Sequence, residues 1–270
     1  MHFFNFAESN WTENMANMLA RVNGLFKSFE RKGWVKRTPA FIYDYHKTYP
    51  DFKLLEDNYE EIRKECEGLL SYKDQITNME GLAGNKTEGG VHSIKWKSFV
   101  IKSGKFINKN CEKCPNTADL LKKIPRIKQA FFSILDPEQH IRPHKGYYYG
   151  FLRYHLGVII PENNENNMCW IKINDDLKDN DQNRKDSMEN AETYYWKNGE
   201  GIIFNDNYLH EAKNESKEVR VVLFIDIARK FPWPIDLFNR FILKIAYWIP
   251  EVKQIAQRAE VDFDVKPKYT

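Results

Sequence analysis

Long hydrophobic runs, an excess of charge of one sign and a cysteine framework are all absent from the sequence. The longest apolar stretch, residues 235–249, is interrupted by Asp236, Arg240 and Lys244, so it falls short of the roughly 20 apolar residues that span a membrane. The 41 basic and 38 acidic side chains leave a formal net charge of only +3, which gives no electrostatic argument for nucleic-acid binding. We therefore expect neither a membrane span nor a nucleic-acid partner.

Cysteine is also scarce and occurs only at positions 66, 111, 114 and 169. Four cysteines in a chain of 270 residues do not form a disulfide framework, which favours a reducing cytoplasm. Cys111 and Cys114 have the spacing of half a zinc site, but a structural zinc site needs four ligands, so we favour an ordinary loop. The N-terminus lacks the basic start and apolar run of a signal peptide. We therefore expect a cytoplasmic protein.

Apolar residues make up 42% of the sequence and aromatic residues 14%, which is enough for a sizeable core. Helices are predicted by apolar spacing and composition in three segments: residues 10–31, 56–70 and 115–124. Strands are predicted in seven short segments: residues 95–102, 128–135, 152–160, 168–173, 193–196, 201–205 and 219–228. Because these strands follow one another without regular helical crossovers, we predict a mainly β protein with flanking helices and a jelly-roll core.

The chain divides into three predicted parts: an N-terminal helical extension (residues 1–90), a β domain (residues 91–230), and a C-terminal amphipathic helix and tail (residues 231–270). Within the β domain, residues 174–192 are almost entirely polar. They predict a solvated insertion that is either plain surface or a substrate lid. The pair Asn198-Gly199 favours a β-hairpin between two of the strands.

Two of the seven histidines stand where a metal ion could collect ligands from different strands. His144 follows Pro143 in a predicted turn, and His210 comes shortly after the predicted strand 201–205. Both would then lie at the mouth of the β-sandwich, where a bound metal keeps positions open for substrate and oxygen. The alternative is that each is a hydrogen-bonded histidine of the core.

Three further residues indicate an anion pocket. Strand alternation places Arg153 and His155 on one face, with apolar residues 152, 154 and 156 on the other. Arg220 has apolar neighbours on both faces of its strand and is predicted to point into a core or a cleft. A buried guanidinium needs an anionic partner, and a ligand carboxylate would match its planar fork. The residues alone therefore indicate a β-sandwich with a two-histidine metal site and an anion pocket.

Several sequence segments, which lie between about residue 96 and about residue 226, resemble the aspartyl/asparaginyl β-hydroxylase family. They are His140-Ile141-Arg142-Pro143-His144-Lys145-Gly146, Leu152-Arg153-Tyr154-His155-Leu156-Gly157, and Phe204-Asn205-Asp206 with His210-Glu211 and Arg220. Residues 122–125 and 231–234 further resemble the branch of bacterial lipid A acyl-chain hydroxylases.

The resemblance implies a double-stranded β-helix and an iron(II)- and 2-oxoglutarate-dependent dioxygenase that uses O2. It implies that His144 and His210 bind the iron. The distal carboxylate of 2-oxoglutarate would pair with Arg220, helped by the Ser133 hydroxyl. Arg153 and His155 would hold the end of the cosubstrate that lies near the metal.

One position departs from the two-histidine, one-carboxylate pattern of many non-haem iron oxygenases. The residue two places after His144 is Gly146, as in the peptide-hydroxylase branch. Three interpretations stay open: the two histidines suffice with water, Asp206 or Glu211 replaces the missing acid, or the site is degenerate. We favour the first.

The substrate is less well defined by the sequence. The resemblance implies hydroxylation of an unactivated C–H bond in an aspartyl or asparaginyl residue of a peptide, or in an acyl chain, with a lipid A-like fatty-acyl 2-hydroxylase as the more specific alternative. Residues 234–249 would form an amphipathic helix that either contacts a membrane surface peripherally or caps the sandwich. A third hypothesis is a non-catalytic, cupin-like binding module.

Overall fold

The computed structural model describes residues 3–82, 94–176, 186–246 and 250–261. The helices within these ranges are α1 (Phe3–Arg31), α2 (Lys53–Asp57), α3 (Tyr59–Leu70), α4 (Met79–Leu82), α5 (Asn108–Lys113), α6 (Pro115–Lys123), α7 (Ile235–Ala246) and α8 (Pro250–Arg258). The strands are β1 (Phe41–Ile42), β2 (Trp96–Ser103), β3 (Lys105–Phe106), β4 (Ile127–Leu135), β5 (Gln139–His144), β6 (Phe151–Ile159), β7 (Cys169–Asn174), β8 (Glu192–Tyr195), β9 (Gly201–Phe204), β10 (Leu209–Asn214) and β11 (Arg220–Ala228).

The strands form two sheets. The large sheet has the order β1-β9-β6-β11-β4-β2-β3, and the small sheet has the order β5-β10-β7-β8. From β4 to β11 the chain passes between the two sheets at every step except β7 to β8, and every pairing within this region is antiparallel. This is the topology of a double-stranded β-helix, and it confirms the predicted fold class.

Strand β6 shows how its sequence determines which side chains face the site. Leu152, Tyr154 and Leu156 belong to the apolar core beneath the large sheet, which also includes residues of α3 and α6. Arg153 and His155 face the opposite way, into the space between the two sheets. The alternation predicted for this strand is therefore confirmed.

The prediction missed two strands of the small sheet. His144 was predicted to lie in a turn and His210 to follow a strand, yet they belong to β5 and β10. Both strands are short and carry many polar residues, so neither has the strong apolar alternation by which strands are recognised. Their pairing with each other and with β7 is a long-range contact that local sequence does not encode.

The predicted hairpin at Asn198-Gly199 is also wrong. Gly199 does adopt a left-handed conformation, with φ of 75°, as a tight turn there requires. However, the preceding strand β8 lies in the small sheet and the following strand β9 in the large sheet. The turn therefore carries the chain from one sheet to the other.

The helices surround the large sheet. Helix α1 begins earlier than predicted, residues 56–70 divide between α2 and α3, and α4, α5 and α8 were not predicted. Phe26 of α1 stacks on Phe231 with ring centroids 4.9 Å apart, and Arg126 binds Asp236 of α7 through two hydrogen bonds of 2.8 Å. These contacts fix α1 and α7 beside the sheet.

No helix among the described residues is long and apolar enough to cross a membrane. The division into an extension, a β domain and a tail stays a prediction. Of the predicted polar insertion 174–192, residues 177–185 lie outside the described part of the chain, so its role as a lid also stays a prediction.

Candidate active site

His144 and His210 face each other across two strands of the small sheet. They are cross-strand partners in the β5–β10 register, and their ring centroids lie 4.2 Å apart. The Nδ1 atom of His144 lies 2.8 Å from the carbonyl oxygen of Arg142, and that of His210 lies 2.9 Å from the carbonyl oxygen of Tyr208. When each Nδ1–H donates to its carbonyl, each Nε2 keeps a lone pair, which is the tautomer that a metal ion binds.

The protein also favours the neutral form of both rings. Burial lowers the pKa of His210 to about 3, with the Arg153 guanidinium adding to the effect. Burial lowers the pKa of His144 well below its usual value, and the neighbouring His210 lowers it further. Because imidazole binds metals only when it is neutral, these rings are in the form that a metal requires.

Arg220 lies at the other end of the site and lacks an anionic partner. Its side chain is 1% exposed, its Nη1 atom lies 3.4 Å from the carbonyl oxygen of Ser133, and its guanidinium lies 4.7 Å from the ring centroid of Trp196. Its Nε atom has no hydrogen-bond partner, and no carboxylate among the described residues forms an ion pair with it. Burial lowers its pKa to about 10. A buried guanidinium in this state is costly unless an anion binds beside it.

A cavity of about 30 Å³ between the sheets joins the two ends. It is lined by all of the residues that the sequence indicated for metal and cosubstrate: Ser133, His144, Arg153, His155, His210 and Arg220. The Ser133 hydroxyl accepts a hydrogen bond of 2.9 Å from Trp96 Nε1, which leaves its own proton to donate. Both ring nitrogens of His155 and the Trp196 indole N–H are buried without a partner. Buried polar atoms of this kind are satisfied when a polar ligand occupies the cavity.

Arg153 has partners that the sequence analysis did not identify. Its Nη2 atom lies 3.0 Å from Asp206, its Nε atom lies 3.0 Å from Asp226, and its guanidinium lies 4.2 Å from the centroid of the Phe224 ring. Asp226 could have been identified from the sequence. It lies on the same face of its strand as Arg220, and the strand is otherwise apolar. Asp206 is separated from Arg153 by half of the domain, and no local pattern connects the two.

Gly146 lies directly against Asp206. This contact concerns the carboxylate that many non-haem iron oxygenases have two residues after the first histidine. A Cβ atom added to Gly146 would lie 2.6 Å from Cγ of Asp206, and the Gly146 N–H donates to the Asp206 carbonyl oxygen at 2.7 Å. The Asp206 carboxylate thus occupies the space that an acidic side chain at position 146 would need. Glu211 instead lies 2.6 Å from His140. No group of three metal-ligating side chains is found among the described residues, so the site presents two histidines.

Changing Gly146 to Asp is therefore expected to destabilise the protein. The added side chain overlaps Asp206, and overpacking of this kind costs about 1–3 kcal/mol in the free energy of unfolding. Urea denaturation of Gly146→Asp compared with Gly146→Asp/Asp206→Gly measures this cost, and the second change is expected to restore most of the lost stability. A Gly146→Asp protein as stable as the wild type would contradict the packing described here.

Comparison with known proteins identifies the family of this chain. The sequence profile of the family described as aspartyl/asparaginyl beta-hydroxylase matches residues 56–230. The ornithine lipid ester-linked acyl 2-hydroxylase of Rhizobium tropici is 30% identical over 208 residues, covering 77% of this chain and 67% of that protein. The chain belongs to the aspartyl/asparaginyl β-hydroxylase family. The matched region includes every residue of the candidate site.

Other members of the family are longer. The human aspartyl/asparaginyl beta-hydroxylase is 25% identical over 225 residues, which cover 81% of this chain but only 24% of the human protein. The chain thus spans about two thirds of the Rhizobium protein and about a quarter of the human one. Among solved structures, a prolyl hydroxylase from Trichoplax adhaerens in complex with a peptide fragment of hypoxia inducible factor has a TM-score of 0.44 and 10% identity, covering 87% of this chain and 95% of that chain.

Proposed function

We propose that the chain is an iron(II)- and 2-oxoglutarate-dependent dioxygenase that hydroxylates an unactivated C–H bond. The observation that carries this proposal is the presence, in one cavity, of two histidines and a buried arginine that forms no ion pair with a carboxylate in the described part of the chain. The histidines suit a metal ion with open coordination positions. The arginine suits the carboxylate of a ligand that also reaches the metal.

Each end of 2-oxoglutarate has a matching set of groups in this proposal. His144 and His210 hold the iron through their Nε2 atoms. Arg220 and the Ser133 hydroxyl bind the distal carboxylate, which satisfies the unpaired charge. His155, whose two ring nitrogens have no partner, and Arg153 hold the end that lies nearer the metal, with Asp206 and Asp226 keeping Arg153 in place.

When bound, iron(II) supplies the oxidising chemistry: O2 places one oxygen atom in succinate, formed with CO2 from 2-oxoglutarate, and the other in the substrate C–H bond. The protein contributes orientation and exclusion of water. Trp96, Trp196, Phe204 and Phe224 line the cavity, so the cosubstrate would be enclosed mainly by aromatic rings. Burial of this kind strengthens the ionic contact between Arg220 and a carboxylate.

The substrate class in this proposal is either an acyl chain or an aspartyl or asparaginyl residue of a peptide. The Rhizobium relative is named for an ester-linked acyl group of an ornithine lipid, and the human relative is named for aspartyl and asparaginyl residues. The site residues alone fit both classes, because the iron and 2-oxoglutarate chemistry is the same for each.

Turnover of 2-oxoglutarate tests the proposal. Purified protein with iron(II), ascorbate and O2 is expected to convert 2-oxoglutarate to succinate slowly, and faster when acyl lipids or acidic peptides include its substrate. Mass spectrometry of the stimulating compound is expected to show a gain of one oxygen atom. Folded protein that forms no succinate with any member of either class would support the non-catalytic binding module instead.

A further inference from the structure

A second, larger cavity lies beside the candidate active site. This groove has a volume of about 130 Å³, against about 30 Å³ for the site cavity. It runs between α1, α7, α8 and one end of the large sheet, and its walls are mostly apolar, as shown by Met18, Leu19, Phe151, Ile242, Leu243 and Ala246. Apolar walls of this length suit a hydrocarbon chain better than a peptide backbone, which needs polar partners.

The ion pair of Arg153 and Asp226 lies between the groove and the site cavity. Asp226 lines the groove and binds Arg153 at 3.0 Å, while Arg153 lines the site cavity. On β11, Arg220, Phe224 and Asp226 share one face, and the step from Phe224 to Asp226 is about 7 Å along the strand. The groove therefore begins at the end of the site cavity that is opposite to Arg220.

Positively charged side chains lie along one side of the groove. Lys128 lines it, and burial together with the nearby cations Arg240 and Arg126 lowers the pKa of Lys128. Lys102 lies close to Lys128 as well. The acidic group in the groove, Asp226, is paired with Arg153. Arg126 is neutralised by Asp236, so Lys128 and Lys102 are the cations that favour a ligand with an anionic head.

The outer side of α7 is apolar too. Leu237, Phe241 and Ile245 are 56%, 59% and 41% exposed, and Trp233 just before the helix is 81% exposed. On the other side of the same helix, Ile242 and Leu243 line the groove. A helix with an exposed apolar face and flanking cations suits the surface of an anionic membrane, from which a lipid chain could enter the groove.

We propose that this groove binds the acyl chain of an anionic membrane lipid and directs it past Tyr147 towards His144 and His210. The assignment rests on the proposed oxygenase function, which makes the bound chain a substrate, and it selects the acyl lipid from the two substrate classes. Tyr147 lines the groove and directly follows Gly146, which packs against Asp206, a partner of Arg153. It therefore stands at the junction between groove and site.

Ala246 allows the groove to be filled without touching the site. It lies at the end of α7, is partly exposed and lines the groove. Ala246→Phe places a ring in the path of the chain. The matched control is Ala20→Phe, because Ala20 is an exposed residue of α1 that does not line the groove.

Calorimetric titration of the anaerobic complex with iron(II) and 2-oxoglutarate tests the proposal, with monomeric 1-palmitoyl-lysophosphatidylglycerol as the probe. Each buried methylene contributes about fourfold to the affinity. The 1-octanoyl lipid is therefore expected to bind at least about 100-fold more weakly. Ala246→Phe is expected to weaken binding of the palmitoyl lipid at least about tenfold, whereas Ala20→Phe leaves it unchanged. Lys128→Gln is expected to reduce the preference for this lipid over lysophosphatidylcholine of the same chain length.

Three results would overturn the proposal: no binding of the palmitoyl lipid, wild-type affinity in Ala246→Phe, or affinity that does not depend on chain length. Binding of palmitate but not of the lysolipid would replace the membrane lipid with a free fatty acid, and displacement by an acidic peptide would assign the groove to peptides. Succinate formation, measured in the same preparations, separates the two claims. Its absence beside chain-dependent lipid binding would refute the oxygenase function and retain the groove as an acyl-binding site.

Discussion

Replacing Arg220 by methionine is expected to leave the ligand-free protein at least as stable as the wild type, while it removes the stabilisation that 2-oxoglutarate provides. The wild-type guanidinium is 1% exposed, lies 3.4 Å from the Ser133 carbonyl oxygen and 4.7 Å from the Trp196 ring centroid, and forms no ion pair among the described residues. The change therefore removes a buried charge that has no counter-ion there. Substitution of buried ionic groups by apolar ones is often neutral or stabilising, by about 1–4 kcal/mol. Thermal unfolding with and without 2-oxoglutarate measures both effects.

The same change is expected to weaken 2-oxoglutarate binding at least 10- to 100-fold, because hydrogen bonds to a charged group contribute about 1.5–3 kcal/mol each. Arg229→Met is the matched control. Arg229 is 2% exposed, and burial lowers its pKa to about 10 as well, but it donates to the Asn205 side chain at 2.8 Å and to the Phe151 carbonyl at 3.3 Å. Its loss is expected to destabilise the ligand-free protein.

If Arg220→Met instead destabilised the ligand-free protein as much as Arg229→Met and left the affinity for 2-oxoglutarate unchanged, Arg220 would be a structural residue. The proposed carboxylate site would then be wrong. Arg229 lines neither the site cavity nor the groove. Any effect of its loss on 2-oxoglutarate binding would therefore arise through unfolding, which circular dichroism detects.

Replacing either His144 or His210 by alanine is expected to reduce succinate formation at least about 100-fold, since loss of an outer-shell partner of a metal ligand alone costs 10- to 100-fold. Each ring supplies one of only two protein ligands that the site presents. Neither change should unfold the protein, because both rings line the site cavity. Iron content and succinate formation are measured on the same samples.

The control for these variants is His140→Ala. His140 lies on the same strand as His144, but its ring contacts Glu211 at 2.6 Å and does not line the cavity. Iron binding and turnover are expected to stay close to the wild-type values, because His140 does not line the cavity. Wild-type turnover in His144→Ala and His210→Ala would remove these histidines from the metal site.

The sequence predicted those parts of the site that depend on strand alternation. Side chains alternate between the two faces of a strand, and this alternation placed Arg153 and His155 on the face of β6 opposite to its core residues. The apolar neighbours of Arg220 predicted that Arg220 is buried. The structure places all of these residues around one cavity. Their roles towards iron and 2-oxoglutarate stay predictions.

Features that depend on distant contacts could not be predicted. The register that pairs His144 with His210 joins segments far apart in the chain, and their polar strands have no clear alternation. The contact of Gly146 with Asp206 is likewise formed only when two loops meet. The groove brings α1 and α7 together from opposite ends of the chain, and the amphipathic pattern of a helix does not identify what its apolar face will contact.

The most direct test of the central claim is an anaerobic titration of the metal-free protein with iron(II) and 2-oxoglutarate, followed by visible absorption. The account predicts the weak charge-transfer band of a 2-oxoglutarate–iron chelate in the wild type. The band should be absent in His144→Ala and His210→Ala, and in Arg220→Met it should appear only at higher 2-oxoglutarate concentration. Folded wild-type protein that shows no band and binds neither ligand would contradict the account.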